Sequence, residues 1–247
     1  MIGRNKSGIM LYLCIFIMGI MIIPMITSCG KSDVRADTNA RAQFQILNLS
    51  PDLNAFNLYT RFIKLSDNQY SYPVPSGYFL VNVIDTPFQI RAVPVNSTVS
   101  QDNILTLEQP LQSHVRYSWF VTGLQANKSI TSILTADTGK TPSVGRGKIR
   151  FLNASPNSTG LNLTLNDTLA FSKITYKKVT DYIEVTAGNY ILKLSAASAP
   201  KTVLKSLDVT VLDGKLYTVF GYGLVSRSDT TAFGGGVILN TIPDVTY

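Results

Sequence analysis

The sequence predicts an all-β protein built as two tandem antiparallel β-sandwiches. Three observations carry this. The stretch Gln43-Phe-Gln-Ile-Leu-Asn-Leu-Ser-Pro-Asp-Leu-Asn-Ala-Phe-Asn-Leu-Tyr-Thr60 returns without a gap as Lys148-Ile-Arg-Phe-Leu-Asn-Ala-Ser-Pro-Asn-Ser-Thr-Gly-Leu-Asn-Leu-Thr-Leu165. Val, Ile, Thr, Tyr and Phe are plentiful and Glu occurs only at Glu108 and Glu184, a composition that favours strands. Outside the N-terminus no segment shows a helical period, while short alternating runs recur at close spacing, as in a sandwich.

The chain opens on a different kind of segment. Arg4 and Lys6 precede an unbroken apolar run from Ile9 to Ile26, followed by Thr27-Ser28-Cys29. A basic start, an apolar middle and small residues before a cut site read as a secretory signal over 1–28. Ile26-Thr27-Ser28-Cys29 resembles the bacterial lipobox, which implies cleavage before Cys29 and acylation of that cysteine. More than one acyl chain is needed for stable anchoring, and a multiply acylated Cys29 meets that need. Cys14 leaves with the signal, so the mature domains hold no free thiol, disulfide or thiolate metal site. The short polar stretch over 29–40 is expected to be a tether. Gly30 differs from the Asp that retains some lipoproteins at the inner membrane, which points to the outer membrane of a Gram-negative cell envelope.

Repeat 1 is expected over 41–138. Phe44 and Ile46, then Phe56 and Leu58, alternate with Gln43, Gln45, Asn57 and Tyr59, the pattern of half-buried strands. Asn48, Ser50 and Pro51 supply the turn between them. Further strands are expected at Phe79–Ile84, Phe88–Val95, Ile104–Leu107, Val115–Val121 and Ile130–Thr135. Residues 139–147 read as a linker by composition. Repeat 2 is expected over 148–247, with strands at Ile191–Leu194, Leu207–Val211, Leu216–Tyr222 and Val237–Thr241. Its Gly188-Asn-Tyr190 turn is matched to the turn at Gly77-Tyr78, and Gly234-Gly235-Gly236 reads as a flexible turn.

The quoted opening motif, Tyr182-Ile-Glu-Val-Thr-Ala-Gly-Asn-Tyr190 and Tyr217-Thr-Val-Phe-Gly-Tyr-Gly223 together resemble the uncharacterised family catalogued as "domain of unknown function 4397". The usual pattern there has Arg-Phe-x-Asn/His-x-Ser-Pro-Asp at the opening. Gln45 replaces its Arg in repeat 1 and Asn157 its Asp in repeat 2. The resemblance implies paired immunoglobulin-like β-sandwich domains on exported bacterial proteins, often lipoproteins of the Bacteroidota. It implies no activity and no site residues.

The chemistry-bearing residues are few. His114 is the only histidine, and no Gly-x-Ser-x-Gly elbow exists, so an enzyme is not expected. Asp52, Asp67, Asp102, Asp137, Asp167, Asp213 and Asp229 mostly flank turn residues, and Glu184 is expected to be solvated. Zinc has no plausible ligand set, no Asp-x-Asp-x-Asp loop appears for calcium, whose only candidates are the Asp-rich loops, and no cofactor is expected. The formal charge is +7, or +5 once Arg4 and Lys6 are removed, leaving 20 basic and 15 acidic residues. The basic residues are scattered, which excludes a nucleic-acid stripe. Trp119 shares phase with Tyr117 and Val121 and matches Val219, so it reads as core. Tyr70, Tyr72 and Tyr78 cluster near Gly77 and are the candidate ligand-binding residues, or pack the end of the sandwich. The expected function is a lipid-anchored, non-catalytic binding or assembly module for envelope protein or glycan. A structural spacer is the alternative.

Overall fold

The computed structural model describes residues 40–60, 63–93 and 102–241. The expected signal, Cys29, nearly all of the tether and the final residues 242–247 lie outside them. Both repeats fall in one compact unit, Asn39–Tyr247.

Repeat 1 runs β1 (Arg41–Asn48), β2 (Phe56–Thr60), β3 (Ile63–Lys64), β4 (Phe79–Asn82), β5 (Phe88–Ala92), β6 (Asn103–Leu107), β7 (Arg116–Thr122) and β8 (Thr131–Ala136). Repeat 2 runs β9 (Arg146–Asn153), β10 (Leu161–Leu165), β11 (Thr168–Ile174), β12 (Ile183–Thr186), β13 (Gly188–Ala196), β14 (Val203–Val211), β15 (Leu216–Tyr222) and β16 (Gly234–Leu239). Each repeat makes two four-stranded sheets with the same order. One is β4-β1-β7-β8, matched by β12-β9-β15-β16, and the other is β3-β2-β5-β6, matched by β11-β10-β13-β14. We call the first of each pair the inner sheet and the second the outer sheet.

Between the two sheets of repeat 1 lie Phe44, Ile46, Phe56, Leu58, Phe88, Ile90, Trp119 and Val121, all fully buried. Ile149, Phe151, Leu161, Leu163, Leu192, Leu194 and Val219 fill the same place in repeat 2. Trp119 is core as expected, and Val219 occupies its place in repeat 2.

The pairing is antiparallel except at the centre of each inner sheet, where β1 runs parallel to β7 and β9 to β15. A parallel pair needs a long crossover, and the strands in between supply it. Parallel strands are characteristically covered on both faces. That holds here. Leu47, Leu49, Phe120, Leu152, Ala154, Phe220 and Ile238 form a third apolar cluster on the far face of the two inner sheets, and it joins repeat 1 to repeat 2. Phe120 meets its counterpart Phe220 with ring centroids 6.1 Å apart. The expectation of half-buried strands is therefore corrected for β1 and β9. Gln45, which reads as solvent-facing in sequence, is buried because the other repeat covers it.

Two further corrections come from register. Phe44 pairs with Phe79 and Ile149 with Ile183, so the counterpart of Tyr78 is Tyr182, not Tyr190. Gly234, Gly235 and Gly236 belong to β16, opposite Tyr222, Gly221 and Phe220. They are not a flexible turn. A Cβ on Gly234 would stand 2.4 Å from the Tyr222 ring, and one on Gly236 2.5 Å from the Phe220 ring. Bare backbone there lets both rings lie across the strand, and each then meets an aromatic ring of repeat 1.

Candidate functional site

The repeated Asn-x-Ser-Pro motif is a backbone clamp. After β1, Asn48 donates from Nδ2 to the Leu53 and Tyr70 carbonyls, while its Oδ1 accepts from Ser50 N at 3.2 Å. Ser50 Oγ donates to Gly123 O at 2.9 Å, tying the turn to the end of β7. Asp52 then accepts from the amides of Gln125 and Ala126 at 2.8 and 2.9 Å. Repeat 2 rebuilds this with Asn153, Ser155 and Asn157. Ser155 Oγ donates to Gly223 O at 2.7 Å, and Asn157 Oδ1 accepts from Val225 N at 2.8 Å. Asn157 can replace the usual Asp because an amide oxygen serves the same amide donor.

The Gly that closes each clamp is also fixed by geometry. Gly123 and Gly223 have φ of 97° and 72°. A Cβ on either would sit 2.1 Å from Ser129 O or 2.4 Å from Ala232 O. Six residues upstream, the hydroxyls of Tyr117 and Tyr217 accept from the amides of Gln112 and Leu212 at 3.1 and 3.0 Å. These are the tyrosine corners of a sandwich of immunoglobulin type. The motifs that recur between the repeats are thus explained by folding.

Where the inner sheets face each other, a buried polar network replaces the apolar contact. Asp137, 3% exposed, and Arg150, 5% exposed, form an ion pair between Oδ1 and Nη2. The Asp137 carboxylate also accepts from the hydroxyls of Ser118, Tyr78 and Thr135. Arg150 spends its remaining donors on Thr218 Oγ1 at 2.8 Å, Thr135 Oγ1 at 2.9 Å and Ala136 O at 3.1 Å, and its guanidinium lies 4.8 Å from the Tyr182 ring centre. Asn240 closes the network, accepting from Thr218 and Tyr182 and donating to Tyr78 at 3.1 Å. The members come in counterparts: Gln45 and Arg150, Ser118 and Thr218, Asp137 and Asn240, Tyr78 and Tyr182. The same patch on each repeat meets itself, as in a two-fold homodimer, with one charge of each sign substituted. Asp137 is therefore not a turn residue, and Arg150 is the residue that sequence reasoning missed. Its signals were a charge in the same phase as Lys148, inside a strand, and the Arg that opens the family pattern.

The three candidate tyrosines do not form one surface. Tyr70 is 5% exposed and packs in the repeat 1 core, its ring 5.8 Å from Phe56 and 6.4 Å from Phe79. Burial raises its phenol pKa. Tyr72 sets its ring edge-on to Tyr222 of repeat 2 at 5.5 Å, and burial, with Tyr222 beside it, pushes its phenol up to about 12. Tyr78 is in the network, its phenol raised by burial and by the Asp137 charge. The alternative reading, packing, describes all three, Tyr70 most fully.

Tyr70 does border a cleft of about 390 Å³, lined also by Asn68, Gln69, Ser71, Val74 and Ser76. Its origin is a difference between the repeats. β11 pairs with β10 from Leu165↔Thr168 to Leu161↔Ile174. In repeat 1 the ladder has Thr60↔Ile63, Tyr59↔Lys64 and the Leu65 N to Leu58 O bond, and resumes only at the Phe56↔Tyr70 bridge. Ser66 to Gln69 leave the sheet, and the cleft opens beside them. The counterpart segment in repeat 2 carries Lys173, Lys177 and Lys178, whereas no charged residue occurs from Asn68 to Ile84.

His114 is exposed in the loop before β7 with φ of 62°, its amide bonded to Arg41 O. Glu184 is exposed and bonds Ser143, which holds its carboxyl below the usual range, with Lys148 3.5 Å away. Among the described residues no three His, Cys, Asp or Glu are placed to hold a metal ion, and no helix is long and apolar enough to cross a membrane.

A search of curated proteins gave no match. The profile of the family described as "Domain of unknown function (DUF4397)" matches residues 42–164 and again residues 147–234. The two matches overlap and together span well over half of the chain; the first takes in both clamp motifs and the second that of repeat 2. The chain is a tandem-repeat member of that family.

Proposed function

We propose that this chain is a lipid-anchored protein of the cell envelope whose paired sandwiches act as a non-catalytic binding or assembly module for envelope protein or glycan. The cleft on repeat 1 is the observation that carries this reading. The repeats share sheet order, clamps and tyrosine corners, and they differ where β3 leaves its ladder. A feature of one repeat that folding does not require is a candidate for function. The location rests on the sequence, through Arg4, Lys6, the apolar run and Ile26-Thr27-Ser28-Cys29. The outer membrane is the proposed site.

Tagged protein from the native host tests both parts. Labelling with an alkyne fatty acid should mark the wild type and not Cys29→Ser. A pull-down from solubilised outer membranes should yield a protein or polysaccharide absent from the Cys29→Ser control. Labelling that survives the substitution would overturn the anchor, and repeated pull-downs no richer than control would overturn the stable-complex form of the reading. A spacer is the second reading, favoured by the buried polar contact that fixes the repeats face to face. It predicts that pull-downs stay empty while labelling succeeds.

A further inference from the structure

We propose that the repeat 1 cleft takes a neutral, polyhydroxylated ligand, a short stretch of uncharged glycan, and that the matching segment of repeat 2 does not. The inference rests on the binding reading above and narrows it to one ligand chemistry.

The lining is uncharged but rich in groups that both donate and accept. Asn68 and Gln69 are exposed, and their side-chain amides make no hydrogen bond to other described residues; the same is true of the Ser71 hydroxyl. An amide offers two donors and one acceptor oxygen, a hydroxyl one donor and two lone pairs. A sugar hydroxyl also donates and accepts, so each can be matched in either sense. Ser76 is already committed, accepting from Ile46 N at 2.9 Å and donating to Gly77 O at 2.7 Å, and it fixes the wall instead of reaching for ligand.

One side of the cleft is apolar. Val74 is 59% exposed although its backbone is held in a turn through Val74 N to Ser71 O at 2.9 Å. Tyr70 lies beside it, its ring locked between Phe56 and Phe79. A sugar ring presents C–H groups on its faces and hydroxyls around its edge, and a wall of this kind with amides on the other side suits that division. Ligand sites of this mixed character usually measure about 300–1,000 Å³, and this one lies near the lower end.

Charge decides against ionic ligands. The charged residues closest to it in sequence, Lys64 and Asp67, pair with each other at 2.9 Å. An acidic or basic ligand would leave water without a countercharge, which costs more than neutral hydroxyls do. In repeat 2, Lys173, Lys177 and Lys178 occupy the corresponding segment and all are exposed. That surface suits anions, so the two repeats are not equivalent sites.

The test is an amide ¹H–¹⁵N NMR titration of the mature chain carrying Cys29→Ser, with three kinds of probe: neutral glucan, mannan and galactan tetrasaccharides, an oligogalacturonate, and an uncharged peptide. The expected result is that a neutral tetrasaccharide shifts the amides of residues 68–76, that Gln69→Lys weakens it about tenfold or more, and that amides of residues 172–180 do not move. If residues 68–76 answer only to the oligogalacturonate or the peptide, the ligand class is wrong while the binding reading stands. If no probe moves them, the cleft falls as a site and the binding reading loses its support.

Discussion

Replacing Arg150 by Gln tests the contact between the repeats with little change of shape, because Gln45 already fills the counterpart position. The substitution leaves the Asp137 carboxylate, with no solvent-exposed side-chain surface, without its cation. Removing one partner of a buried pair costs about 3–5 kcal/mol. Three hydroxyls, on Ser118, Tyr78 and Thr135, remain on Asp137, which sets the expected loss near the lower end, about 3 kcal/mol. For a unit of this size that lowers the melting temperature by about 6–12 °C. Asp137→Asn strands the Arg150 guanidinium in the same way and should cost a similar amount. The double variant places a neutral Gln and Asn at these two positions, as Gln45 and Asn240 stand at the counterpart positions. It should cost no more than either single change, a coupling of about 3 kcal/mol. The assay is urea denaturation of the mature chain with Cys29→Ser. Single losses below about 1 kcal/mol, or losses that add in the double variant, would refute the claim that these two charges depend on each other in a closed interior.

The other predictions are of different kinds. Gly236→Val should cost about 1–3 kcal/mol, because its Cβ would stand 2.5 Å from the Phe220 ring that reaches repeat 1; a stability equal to wild type would return that segment to a flexible turn. Asp229 should titrate at about 2 by carbon NMR, held down first by the Thr231 hydroxyl and then by Arg227, and Thr231→Ala should raise it toward the ordinary 3.8. An unchanged value in that variant would remove the hydroxyl as the cause. Tyr72 and Tyr182 are raised to about 12, in both chiefly by burial, from an ordinary 10. The folded state keeps these protons when the unfolded state loses them. Stability should hold below about pH 10 and fall as pH rises from 10 through 12, seen as urea midpoints. Midpoints that stay level or rise across that window would contradict the burial of these phenols.

Much of the fold was legible because the repeat and its period of two are local signals. Leu216–Tyr222 is a strand end for end as read, and Trp119 is core because Val219 shares its place. What covers the second face of a strand is not local. Gln45 and Arg150 alternate with apolar residues just as solvent-facing side chains do, and only the arrival of the other repeat buries them. Asp137 follows a strand in the manner of a turn acid for the same reason. The glycines of β16 read as a turn because composition reports backbone freedom and not the rings of Phe220 and Tyr222 that need the space. In sequence Tyr190 stands in for the counterpart of Tyr78, because Gly188 imitates the Gly77 turn while starting a different strand. Of the candidate site, the sequence pointed to the neighbourhood through Tyr70. It could not show that Ser66 to Gln69 leave the sheet, since that depends on comparing two ladders residue by residue.

The central claim is that the two repeats fold as one cooperative unit through the joined inner sheets. The single Trp, Trp119, lies in the core of repeat 1 and reports on that repeat alone. Leu163 lies in the core of repeat 2 and is fully buried, so Leu163→Ala should cost about 2–5 kcal/mol. Urea unfolding followed by Trp119 fluorescence in wild type and Leu163→Ala is the most direct measurement. The account predicts that the Trp119 transition moves to lower urea together with the far-UV signal, though the substitution is in the other repeat. A Trp119 midpoint that stays in place while the far-UV signal splits into two steps would contradict it.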